Sequence, residues 1–251
     1  MAERKVVLEG KELTKDFKGL RANENVSFKL FESEILGLIG PNGAGKTTLV
    51  NMISGALSIT SGDVIYNGRS IKGLKPYQIG RLGLIRTYQI VKPFPGMSVL
   101  ENISVGAMFG SKDKVYNSKE SKEKAEEIAV FVGLSDLKNQ RADQLNIASK
   151  KRLEIAKALA ARPKVVLFDE VMAGLNPKEI DSAVHLIKKI RDTGISIIVI
   201  EHVMRAIKAI SDRIFVLHHG VKIAEGEPDD VLNDEEVIKA YLGKRYKQLV
   251  S

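Results

Sequence analysis

The stretch Gly40-Pro41-Asn42-Gly43-Ala44-Gly45-Lys46-Thr47-Thr48 constrains this chain more than any other. It fits G-x-x-x-x-G-K-[ST], a glycine-rich loop that cradles phosphate. Glycine lets the backbone take positive φ and turn its N–H groups onto phosphate oxygens. Lys46 puts a cation on the β/γ-phosphates, and the Thr47 hydroxyl is a hard oxygen ligand suited to Mg²⁺. A helix opens at the end of the loop, so its dipole also favours the anion. The flanks agree with the motif. Ile35-Leu36-Gly37-Leu38-Ile39 reads as a buried strand. Leu49, Val50, Met52 and Ile53 form a short apolar helical face, with Gly55 as its stop.

The 251 residues suffice for one large domain or two small ones, and 44% hydrophobic content supports a sizeable core. There is no cysteine, which excludes disulfides and thiolate chemistry. The longest apolar runs, such as Ile195–Ile200, are of strand length, far short of the ~20 residues of a membrane span. Met1-Ala2-Glu3-Arg4-Lys5 leads into a strand and does not read as a signal peptide. A soluble, cytoplasmic chain is expected. The net charge of +8 suits an anionic nucleotide, a membrane surface, or simply a solvated basic surface. No basic stripe interleaved with aromatics occurs, which argues against nucleic acid as a partner.

Val6 to Phe17 and Val26 to Leu30 read as strands, and Val64-Ile65-Tyr66 turns at Asn67-Gly68, a hairpin signal. Together they predict an antiparallel layer. Phe17 lies in the turn-like Asp16-Phe17-Lys18-Gly19, and periodicity alone makes it a core aromatic. Leu84 to Tyr88 reads as a strand leading to Gln89. Lys92-Pro93-Phe94-Pro95-Gly96 is a loop, and Ser98-Val99-Leu100-Glu101 is a capping box that opens a helix. A second helix runs from Lys119 to Val132, stopped by Gly133. The block from about 91 to 162 reads as helical and inserted between strands.

Val165-Val166-Leu167-Phe168 is an apolar run that ends in Asp169-Glu170. Downstream of a phosphate loop, the first acid can hold Mg²⁺ through water and the second can polarise an attacking water. Asn176-Pro177-Lys178-Glu179 starts a helix expected to bury Ile180, Ala183, Val184, Ile187 and Ile190, with Gly194 as its stop. The next strand, Ile195 to Ile200, ends in Glu201-His202. A histidine there lies on the ligand side of an open α/β sheet and can hydrogen-bond a γ-phosphate. A histidine at a helix start reads equally well. A hairpin around His218-His219-Gly220 follows. From 228 to 251 the chain carries a C-terminal helix, Glu235 to Leu242, and a basic tail at Lys244-Arg245-Tyr246-Lys247.

The order of these segments resembles the ATP-binding-cassette (ABC) ATPases over essentially the whole chain. The loop at 40–48 looks like Walker A, and Val165 to Asp169 like Walker B, followed by catalytic Glu170. Gln89 looks like the Q-loop, His202 like the switch histidine, Ala173-Gly174-Leu175-Asn176 like the D-loop region, and Phe17 like the residue that stacks on adenine. Closer similarity is to the G-type ATP-binding subunits of branched-chain amino acid importers. It is carried by Thr14–Ala22, Arg86-Thr87-Tyr88-Gln89, Arg152-Leu153-Glu154-Ile155-Ala156 and Asp169–Leu175. Urea importers and lipopolysaccharide exporters share much of the pattern.

The resemblance implies an α/β P-loop NTPase spanning 1–251, with a mostly parallel core sheet, an antiparallel β subdomain and an inserted helical subdomain. It implies binding of ATP with Mg²⁺, served by Thr47, Gln89 and Asp169. Lys46 and the loop amides hold phosphates, Glu170 activates water and His202 senses the γ-phosphate. It also implies a head-to-tail pair of ATPase subunits on the inner face of the cell membrane. They would drive a permease that contacts Gln89 to Phe94, with a solute-binding protein as an indirect partner. The family's signature falls on Leu145-Asn146-Ile147-Ala148-Ser149, where no glycine remains. Asn146, Ala148 and Ser149 would face the partner's nucleotide, with the Ala148 methyl in the way. Lys150-Lys151-Arg152 then crowds three cations at a helix start, against the dipole, unless an anion docks there. This departure predicts a heterodimer over a homodimer. A soluble ATPase of DNA or translation maintenance is a second reading, weakened by the single phosphate loop. A GTP switch is disfavoured because no N-K-x-D motif occurs.

Overall fold

The computed structural model describes residues 4–87, 93–110 and 116–242. Gln89, Tyr88 and the basic tail lie outside the described residues. The first elements are strands β1 (Val6–Phe17), β2 (Leu20–Phe31) and β3 (Ile35–Ile39), helix α1 (Lys46–Ile53), strands β4 (Ser61–Tyr66) and β5 (Arg69–Ser70), helix α2 (Pro76–Arg81) and strand β6 (Leu84–Arg86). Helices α3 (Val99–Met108), α4 (Ser118–Val132) and α5 (Ile147–Ala160) follow, with two short 3₁₀ turns before α5. The chain continues through β7 (Val165–Asp169), α6 (Pro177–Asp192), β8 (Ser196–Ile200), α7 (Met204–Ile210), β9 (Arg213–His218), β10 (Val221–Gly226), α8 (Pro228–Leu232) and α9 (Glu235–Leu242).

Two compact units result, one from Met1–Lys75 with Ser196–Ser251, the other from Pro76–Ile195. In the first, β2, β1, β4 and β5 form an antiparallel sheet in that order. β1 and β2 meet at Lys18-Gly19, both at positive φ, which is the two-residue turn that suits the twist of a hairpin. β2 is longer than Val26 to Leu30, because pairing with β1 holds the polar run Arg21 to Asn25 in the strand despite its lack of alternation. Asn67-Gly68 makes the expected second hairpin, with both residues at positive φ.

β3 is fully buried and pairs in parallel with β8 on one side and β9 on the other. Burial on both faces explains why it reads as an unbroken apolar run. β10 adds antiparallel to β9. Phe28 of β2 stacks on Phe215 of β9, 5.6 Å between centroids, and joins the two layers. The chain's end carries α8 as well as the expected α9, since Pro228 at the first helical position opens another turn.

In the second unit β6 and β7 pair in parallel, Arg86 opposite Leu167. The strand stops at Arg86, short of the expected Tyr88. Helices α3, α4 and α5 pack on one another through Val99, Ile103, Ala125, Ala129, Leu153 and Ile155. Three capping boxes, at Ser98/Glu101, Asn117/Glu120 and Asn176/Glu179, fix helix starts. In α6 the buried residues are Leu186, Ile187 and Ile190. Ile180, Ala183 and Val184 are only half-buried, so its apolar stripe is covered toward its C-terminal half alone. Among the described residues no helix is long and apolar enough to cross a membrane.

Candidate functional site

The phosphate loop belongs to the first unit. β3 delivers the chain at Ile39, and a side chain at Gly40 would meet the Leu217 carbonyl at 2.2 Å, so the loop can leave the sheet only through a glycine. Gly45 takes φ 96° as the residue before α1, and a Cβ there would lie 2.6 Å from the Ala22 carbonyl. No side chain caps α1 among the described residues, so its leading N–H groups face an anion's position unblocked. Lys46 Nζ donates to the Gly40 carbonyl at 2.6 Å and to that of Pro41 at 3.0 Å. This curls the ammonium over the loop. Asn42, Gly43 and Thr47 are exposed, Ala44 is buried, and Pro41 and Thr48 are half-buried. Near the loop, burial pushes the Tyr241 phenol of α9 up to about 12, and the Gly40 backbone offsets part of that shift.

Phe17 ends β1 with 42% of its surface exposed, which removes the core-aromatic reading. Lys15 Nζ stands 5.1 Å from its ring centroid. That ammonium is itself buried and donates to the Ser58 carbonyl at 2.8 Å. His202 is exposed between β8 and α7, immediately before the α7 N-cap Val203. Among the described residues its ring makes no hydrogen bond or ion pair, so it does not serve as a satisfied cap.

The acidic pair belongs to the second unit. Asp169 is the last residue of β7 and 6% exposed. Its Oδ2 accepts from Arg86 Nη2 at 2.7 Å, and both side chains are less than a tenth exposed. The Asp169 N–H donates to Thr87 Oγ1 at 3.2 Å. Glu170 takes φ 51°, a left-handed conformation that is uncommon outside glycine. Its carbonyl accepts from Lys151 Nζ at 2.7 Å.

Asn146 caps α5, its Oδ1 accepting from the Ser149 N–H at 2.8 Å. Ala148 and Ser149 are half-buried, while Ile147 is 61% exposed. The three cations after the signature do not form one anion site. Lys151 is buried against Glu170, and Arg152 donates to the Val132 carbonyl and the Ser182 hydroxyl.

The second unit thus brings together Asp169, Glu170, Arg86 and Lys151, while the first holds Phe17, the phosphate loop and His202. Arg86 and Lys151 had no individual role in the sequence reading. For Arg86 the available signal is a guanidinium on a short strand of otherwise apolar residues, which calls for a carboxylate. Lys151 offers none, since a charged run usually means solvent. Among the described residues no cluster of three His, Cys, Asp or Glu forms a metal cage. The Thr47 hydroxyl and the Asp169 carboxylate are each hard oxygen donors of the kind that suits Mg²⁺, which keeps waters and shares substrate phosphates.

A glycine loop opening a helix after a parallel strand, and an Asp-Glu pair ending another, define a phosphate-loop, ATP-hydrolysing nucleotide-binding cassette. The chain belongs to the ABC transporter family, whose model matches residues 23–173. A second model, described as "Branched-chain amino acid ATP-binding cassette transporter", matches residues 221–247. The chain is 38% identical over 240 residues to the high-affinity branched-chain amino acid transport ATP-binding protein LivG of Salmonella typhimurium, covering 91% of this chain and 94% of that one. It is 36% identical to the corresponding BraF protein of Pseudomonas aeruginosa, covering 95% and 98%. The crystal structure of a nucleotide-free ATP-binding cassette from an ABC transporter matches it with a TM-score of 0.88 at 30% identity, over 95% of this chain and 99% of that one. The α/β architecture and the ATPase class expected from the motifs are both found.

Proposed function

We propose that this chain powers uptake of branched-chain amino acids through a membrane permease, as a peripheral subunit on the inner membrane face. The observation that carries this reading is the match at 221–247, beyond the part common to ABC transporters, to a branched-chain amino acid cassette. The similarity to LivG and BraF over more than nine-tenths of the chain supports it.

In this reading Phe17 stacks on the adenine, and Lys46 with the loop amides from Gly40 to Thr48 binds the phosphates. Thr47, Gln89 and Asp169 would hold Mg²⁺, which would neutralise charge on the phosphate oxygens. Glu170 draws a proton from the attacking water, and His202 contacts the γ-phosphate. The region from Gln89 to Phe94 receives the permease. A second ATPase subunit closes over the nucleotide with its own signature, while Asn146, Ala148 and Ser149 of this chain face the partner's. The alanine at 148 favours a different chain as that partner. A symmetric pair would place the methyl at both sites, and losing one donor to a developing charge costs roughly 3–4 kcal/mol.

The test is reconstitution in proteoliposomes with the permease, the second ATPase subunit and the solute-binding protein. Leucine is expected to stimulate ATP hydrolysis and to be taken up. Stimulation by urea in place of leucine would overturn the substrate. Robust turnover by this chain alone as a homodimer, unchanged by Ala148→Gly, would overturn the heterodimer.

A further inference from the structure

We infer that Lys151 is a positioning residue for Glu170, holding the backbone from which that carboxylate acts. The inference rests on the proposed role of Glu170 as the base. Glu170 sits at φ 51°, a conformation that costs energy in any residue with a side chain and persists only when its surroundings hold it. Its carbonyl accepts from a backbone amide and from a lysine ammonium. One is the Ala173 N–H at 3.3 Å, a loose turn bond. The other is Lys151 Nζ at 2.7 Å.

A lysine only 8% exposed is rarely left in a protein interior without a strong partner. Here that partner includes a backbone carbonyl, which fixes the orientation of the peptide that follows Glu170. The helix that carries Lys151 is itself anchored. Arg152, the next residue, ties α5 to the end of α4 through Val132 and to α6 through Ser182. Ile147, in the first turn of α5, lies 4.0 Å from where a Cβ of Gly174 would stand. Helix α5 therefore meets both ends of the segment from Glu170 to Gly174. Its exposed start is the part proposed to meet the partner subunit's nucleotide. Lys151 is the covalent extension of that helix into the base of this chain's own site.

A purely structural lysine would affect folding, or binding and turnover together. A positioning lysine affects turnover while leaving ATP affinity alone. The experiment uses the full chain assembled with its partner ATPase and permease, with single-turnover hydrolysis and ATP affinity measured separately. Lys151→Met keeps the apolar stem and removes the donor. Turnover is expected to fall ten- to a hundredfold with affinity within twofold, the scale of a misplaced catalytic group. Lys151→Arg should recover turnover to within a few-fold. In the Glu170→Gln background Lys151→Met should add no further loss, because the group it positions is gone. Unchanged turnover in Lys151→Met, an equal fall in affinity and turnover, or an additive loss in the double variant would each overturn the inference. Should the methionine variant not fold, Lys151→Gln replaces it, and failure of both to fold refutes a positioning role. If Glu170→Gln itself turns over normally, the role of the base fails, and that result is visible independently of Lys151.

Discussion

In the proposed function the phosphate loop and the acidic pair serve one chemistry, and they are built in opposite ways. The loop is local. Residues 40–48 are contiguous, most are at least partly exposed, and Lys46 bonds to carbonyls five and six residues away. The acidic pair is assembled from a distance. Asp169 depends on Arg86, 83 residues earlier, and Glu170, just past β7, on Lys151 in helix α5. Backbone amides can bind an anion without charged neighbours, because the unpaired N–H groups of a loop and helix start carry partial positive charge and cost far less to desolvate than a full charge. A carboxylate at the end of a buried strand needs a cation beside it, or its desolvation would cost more than the fold can spare.

Substitutions can break this contrast. The largest effect is expected at Glu170. Replacing it with Gln should lower single-turnover hydrolysis by about 10²-fold or more, the scale of a lost general base, while ATP binding persists. Near-normal hydrolysis in the assembled complex would show that the acid end has no chemical role. Next comes Arg86→Met, which leaves the buried Asp169 carboxylate without its ion partner. Breaking a pair so buried costs about 3–5 kcal/mol, to be read from chemical denaturation. Adding Asp169→Leu should restore most of that loss, and an unchanged midpoint in the single variant would mean the pair is dispensable.

Phe17→Ala sharpens the loop side of the comparison. ATP affinity should fall by about 1–3 kcal/mol, as for other base–aromatic stacks, with inorganic triphosphate affinity unaffected. Equal losses for both ligands would show that the ring braces the loop and does not touch a base. The smallest effect concerns Tyr241 beside Gly40. Its phenol titrates at about 12 when folded against a usual 10.0. Between those values the folded state keeps a proton that the unfolded state has lost. Its contribution is therefore complete below pH 10 and declines as pH climbs toward 12. Tyr241→Phe should flatten that part of the melting-temperature profile, whereas parallel profiles for the two proteins would contradict the burial of the phenol.

The sequence by itself determined the elements whose cause is local. The loop is readable because positive φ and phosphate amides demand glycine at fixed spacing. The caps at Ser98 and Asn176 are readable because their partners stand three residues on. The fully buried strands β3, β7 and β8 show as unbroken apolar runs. Tertiary structure alone decided the rest. It lengthened β2 by pairing a polar segment with β1, and it exposed the ring of Phe17, which periodicity assigned to the core. It also turned Lys151 and Arg152 from cations crowded against a helix dipole into ties from α5 to Glu170, α4 and α6. The reason is common to all three. Burial and hydrogen-bond partners belong to residues distant in the chain, and a local pattern carries no record of which distant group will arrive.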